Sequence, residues 1–209
     1  MATAAQHRLT PVSDTTPVIV RIPERELSGA QWVSRFPGSR STNDLVDSFK
    51  NNVIAFKSAI EAAGGLVSIN ATFRPKERAY LMHWCWLIAN KKHAPQRIPE
   101  MAGVSIEWDH GDDEASIAAA EQMMGAYGIK TLRIAPALEG MHTRKEAIDM
   151  NISWNKDLEI KKEDGTTKKI TTLPRDGMNA DLHEIGKEYG VIKFYMGAVD
   201  KPHWSTNGQ

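Results

Sequence analysis

The chain has 209 residues, 41% of them hydrophobic and 25% charged, which suits one globular domain or one domain with a small appendage. Its 26 Lys and Arg balance 26 Asp and Glu, so the formal net charge is zero and the basic excess of a dedicated nucleic-acid binder is missing. A single cysteine, Cys85, excludes an intrachain disulfide, and no run reaches the ~18 apolar residues needed to span a bilayer.

Residues 1–40 carry Pro11, Pro17, Pro23 and Pro37 and a mixed-charge run from Arg21 to Glu26, and read as an irregular arm or lead-in with a short edge strand at Val18 to Ile22. Ser41 and Asp44 are spaced as a capping box that opens a helix, with Leu45, Phe49, Val53, Phe56 and Ile60 on one face and Gly64-Gly65 at its end. Leu66 to Ala71 reads as a buried strand. Phe73-Arg74-Pro75 then turns into a second helix, with Pro75 at the first helical position and Leu81, Trp84, Cys85 and Ile88 as its apolar stripe. Cys85, between two tryptophans, reads as a buried, inert thiol.

A loop spans 93–114. Its Glu107, Asp109, Asp112 and Asp113 favour the positive end of the third helix that follows, where Ile117, Ala120, Met124 and Tyr127 share a face. Ala147 to Trp154 alternates strictly: Ile148, Met150, Ile152 and Trp154 point one way and Asp149, Asn151 and Ser153 the other. Asp164-Gly165 marks a hairpin between Leu158–Ile160 and Lys169–Thr172, with Lys161 to Asp164 as its solvated tip. Leu182, Ile185, Gly186 and Tyr189 mark a fourth helix, and Val191 to Tyr195 a last strand. Helices first and strands later predict an α+β domain at 41–209, a small antiparallel sheet flanked by helices behind the N-terminal arm.

Seven histidines are present. His83 on the Trp-rich helix reads as a core or boundary residue and His183 as a solvent-facing one. Asp149 differs from an ordinary surface acid, because its strand neighbours Ile148 and Met150 are apolar. A carboxylate held there needs a partner: a metal, an arginine or a cluster of backbone N–H groups. His203 follows Pro202 and precedes Trp204, a short stiff segment able to hold an imidazole still.

Three separated motifs, His142-x6-Asp149 with Ala147 two residues before the Asp, Asp200-x-Pro202-His203-Trp204, and Thr72-Phe73-Arg74-Pro75 between a strand and a helix, together resemble the D-alanyl-D-alanine peptidases. That family shares its zinc-site plan with lysostaphin-like enzymes and the hedgehog signalling domain, and the resemblance covers roughly residues 44–207. It implies a Zn²⁺ ion held by His142, Asp149 and His203, with a fourth position open for chemistry. It implies Asp200 as the acid/base and Arg74 as the group that holds the substrate's carbonyl or carboxylate oxygen. The substrate implied is the peptide of bacterial peptidoglycan, cut next to a D-amino acid by an endopeptidase or carboxypeptidase. The alternative is a catalytically weak zinc-bearing module that binds cell wall. Two positions depart from the family pattern: Gly140 stands in place of Ser, and Lys145 in place of a Gly, where it would crowd the cleft and bring a charge.

The N-terminal residues lack the charged-then-apolar order of a signal peptide. The chain is therefore expected to be made in the cytoplasm and to act in the periplasm or at the wall after release or injection. A phage lysin or an injected antibacterial effector fits that route, and the latter would have an immunity protein or secretion-machine component as partner.

Overall fold

The computed structural model describes residues 24–209, so the strand expected at Val18 to Ile22 lies outside the described residues. The α+β class holds. The helices are α1 (Asp47–Ala62), α2 (Lys76–Ala89), α3 (Asp113–Ala126) and α4 (Ala180–Glu188). The strands are β1 (Glu26–Leu27), β2 (Leu66–Ala71), β3 (Ile106–Glu107), β4 (Ala147–Ser153), β5 (Leu158–Lys161), β6 (Thr167–Ile170), β7 (Ile192–Lys193) and β8 (His203–Ser205). A four-stranded antiparallel sheet runs in the order β2-β4-β8-β7. β5 and β6 form the hairpin, and β1 pairs with β3 in parallel. Among the described residues no helix is long and apolar enough to cross a membrane.

The lead-in is irregular over most of its described length, yet it is packed. Trp32 is buried in an apolar cluster with Trp84, Trp86 and Trp108, and Arg35 stands 4.0 Å over its ring. α1 starts later than the Ser41 box suggests. The Ser41 hydroxyl accepts from Asn43 N, but this closes only a 3₁₀ turn over Thr42–Asp44. Leu45 then leaves the helical track to bury itself in extended backbone, and the helix begins at Asp47. From there Phe49, Val53, Phe56 and Ile60 enter the core as their spacing requires.

Two apolar cores result. The first joins α1, α4, the hairpin residues Leu158, Ile160 and Ile170, and the inward side of β4, with Trp204 at its centre. The second joins α2 and α3 with Trp32, Ile106 and Trp108. α2 buries Ala79, Tyr80, Met82 and Trp86 beyond the expected stripe, because the lead-in covers it as well as α3. β2 is not the buried strand expected: it is a sheet edge, alternates exposed and half-buried residues, and leaves Leu66 68% exposed. The connection Thr72–Pro75 carries the chain from the first core to the second, and the candidate site is built along it.

Candidate metal centre

Asp149 and His203 are brought together by strand register. β4 and β8 pair antiparallel with Asp149 directly opposite His203, and Ile148 opposite Trp204. Because successive side chains alternate, Trp204 goes into the core while its neighbour His203 emerges on the other face. Opposite Asp149 on its other flank, the β2 ladder shifts register between Ile69 and Ala71. Such bulges re-aim side chains beside functional sites.

His142 arrives from a tight turn before β4. The Thr143 hydroxyl donates to Gly140 O at 2.8 Å, Gly140 N donates back to that hydroxyl at 3.0 Å, and Glu146 N donates to Met141 O at 2.9 Å. Arg74 N donates to His142 O at 3.3 Å, tying the turn to the β2–α2 connection.

The ligand-type atoms converge. His142 Nε2 and His203 Nδ1 each lie 3.1 Å from Asp149 Oδ1 and 3.2 Å from one another. Metal–ligand bonds of about 2.0–2.1 Å at tetrahedral angles separate ligand atoms by roughly 3.3 Å, so these three fit one face of a tetrahedron. The remaining ring nitrogens face backbone carbonyls: His142 Nδ1 is 3.0 Å from Thr72 O, and His203 Nε2 is 2.9 Å from Gln209 O. A carbonyl only accepts, so these nitrogens carry the hydrogens and leave the two inward nitrogens with free lone pairs. Among the described residues, His142, Asp149 and His203 are the group that could hold a metal ion.

The electrostatics agree with that use. In the metal-free protein burial alone would raise the Asp149 carboxyl, but the two imidazoles of His142 and His203, which donate to it whenever an inward nitrogen carries a proton, hold it well below the usual carboxylate range. Burial lowers the His203 imidazole, and its bond to Asp149 outweighs this and raises it. Asp200 stands at the edge, its Oδ2 4.0 Å from His203 Nδ1 and its side chain half exposed. Burial, then the charge of Asp149, pushes its carboxyl up. Arg74 has its guanidinium lowered by burial, partly offset by Asp149, and among the described residues its head group makes no ion pair or hydrogen bond. The structure thus gathers His142, Asp149 and His203 in direct contact and sets Asp200 and Arg74 beside them.

Lys145 takes the left-handed conformation, with φ 64°, that a glycine would adopt without strain. It does not crowd the cluster: its exposed side chain lays the ammonium 4.9 Å over the Phe73 ring. Open space surrounds the position of a Cβ at Gly140. The acids around Glu107 bind backbone: Glu107 accepts from Asp109 N, Asp109 from Gly111 N, and Asp112 caps α3 through Glu114 N and Ala115 N. His83 bonds Pro136 O and packs against Trp84. His183 is half-buried rather than solvent-facing, bonded to Gly177 O and edge-on to Trp204, because the Asp176–Met178 segment folds over that side of α4. Cys85 is fully buried, and its thiol is pushed up to about 12 by burial, as suits an inert residue.

One participant escaped sequence reasoning. Lys193 is buried, its ammonium bonded to the carbonyls of Lys201 and, at 3.2 Å, His203, so it pins the loop that carries Asp200 and His203. Burial lowers that ammonium to about 8. Its signal was a lysine inside the otherwise apolar run Val191 to Tyr195. The chain matches no protein-family model, and no curated protein matches it.

Proposed function

We propose that this protein is a zinc-dependent peptidase acting on the peptide of bacterial peptidoglycan, cutting beside a D-amino acid. The observation that carries the reading is the convergence of Nε2, Oδ1 and Nδ1 within 3.1–3.2 Å, with both outer imidazole nitrogens tied to carbonyls and a carboxylate and a guanidinium at the rim. Two imidazoles and one carboxylate suit zinc and leave a fourth position open. Bound there, the metal supplies a Lewis acid for the scissile carbonyl and acidifies water. Asp200, too far from the ligand nitrogens to be one of the close set, is placed by this reading to take the proton from the attacking water and pass it to the leaving amine. Arg74, whose head group has no hydrogen-bond or ion-pair partner among the described residues, is free to hold the carbonyl oxygen as charge develops on it.

The setting follows from the chemistry. The wall lies outside the cytoplasm, so the protein would act after release or injection, as a phage lysin or an antibacterial effector with a cognate immunity protein. The test is elemental analysis of protein purified without chelator, followed by digestion of purified sacculi. One zinc per chain and release of peptide fragments at a D-amino acid are expected. Zinc retained by a His142→Ala, His203→Ala double variant would sink the ligand assignment, and sacculi left intact by fully loaded protein would sink the activity.

A further inference from the structure

A cavity of about 410 Å³ opens from His142 and Arg74 and runs beneath the lead-in segment 33–40. Among the described residues three arginines line it, Arg40, Arg74 and Arg78, and no Asp or Glu does. Arg78 is committed to the fold: its Nη1 donates to Val33 O at 3.1 Å, and its guanidinium lies 4.7 Å from the Tyr127 ring. Arg40 and Arg74 make no such commitments among the described residues. The rim that carries Arg40 is firmly held, since Ser39 N donates to Phe73 O at 2.9 Å and Thr72 N donates to Ser39 O at 2.8 Å. Arg40 is thus fixed to the same connection whose carbonyl orients His142. A concave site with low-dielectric walls and one sign of charge concentrates the opposite charge, and a guanidinium suits a carboxylate in bidentate geometry.

We propose that this cavity is the subsite for a carboxylate borne by the substrate residue next to the scissile bond, and that Arg40 is its specificity determinant. The proposal rests on the peptidase reading for the bond that is cut, but the charge preference belongs to the cavity itself. The carboxylate comes from a side chain or from a free C-terminus, and the two sources are separable with synthetic peptides.

Three short peptides of otherwise equal sequence serve: one with a side-chain acid and an amidated C-terminus, one with a neutral side chain and a free C-terminus, and one neutral throughout. The zinc-loaded protein should cut one of the two acids at least tenfold better in kcat/KM than the neutral peptide, and which one identifies the source. Arg40→Gln should lower that acid-to-neutral ratio about tenfold, and Arg40→Lys should recover part of it. Calorimetric binding of the same peptides to zinc-loaded Asp200→Ala protein should show the same preference and the same dependence on Arg40. Arg40 is exposed, so its variants should melt with the parent. A ratio unchanged by Arg40→Gln, or equal cutting of all three peptides, overturns the subsite and leaves the peptidase. Binding that prefers an acid through Arg40, with none of the peptides cut, supports the subsite and overturns the peptidase.

Discussion

Lys145 shows a charged side chain holding a backbone conformation that glycine adopts most easily. A non-glycine residue in the left-handed region costs roughly 1–2 kcal/mol. Lys145 accepts that cost with its carbonyl bonded to Val46 N and its ammonium over Phe73. Lys145→Gly should therefore be neutral or stabilising by up to about 1 kcal/mol, since relief of strain is partly offset by the greater freedom of glycine in the unfolded chain. Lys145→Val should cost about 1–2 kcal/mol, because a β-branched residue tolerates this conformation least. Urea midpoints of the three proteins check both signs. Under the proposed peptidase function, Asp200→Ala should still take up zinc and lose most turnover, read by elemental analysis alongside peptide release; loss of the metal would make Asp200 a ligand. Asp149 was legible in the sequence because strict alternation put a lone acid between buried Ile148 and Met150. Lys193 was legible only as a lysine in an apolar run; the carbonyls its ammonium turns to belong to Lys201 and His203, and nothing local names them.

At the scale of elements, the site depends on the register of β4 against β8, and Trp204 locks that register from the core side. It is fully buried, 5.6 Å from Phe56 and opposite Ile148. Trp204→Ala should cost about 3–5 kcal/mol and weaken metal binding as well, since the adjacent residue is His203. Leu66→Thr on the edge strand should change stability by no more than about 0.5 kcal/mol. Denaturant titrations of the two variants, with metal uptake measured for the first, check both expectations. The helices and the hairpin were readable because Phe49, Val53, Phe56 and Ile60, or Asp164-Gly165, are local signals. The edge position of β2 and the late start of α1 were not. Both are decided by neighbours far along the chain: β4, which covers one flank of β2 and leaves the other open, and the core pocket that draws Leu45 out of the helix.

For the whole molecule, the two cores meet along the Thr72–Pro75 connection, and the candidate metal ties that connection to the sheet through His142 and its bond to Thr72. Removing the metal should therefore destabilise the entire fold. A ligand present at one hundred times its dissociation constant contributes about 2.7 kcal/mol. For a chain of this size that corresponds to a melting temperature lower by roughly 5–10 °C after chelation, restored by added zinc. An Asp149→Asn protein should show a much smaller chelator response in the same calorimetric scan. The ligands also sit far apart along the chain, with 61 positions separating His142 from His203. A metal bridging them acts as a clasp on the contour of the polypeptide. Stretched from its two ends in an optical trap, the loaded protein should release a length short by about 200 Å, the reach of those 61 residues at ~3.4 Å each. That hidden length should appear in a separate step when the clasp gives way, and should be absent from the chelated chain.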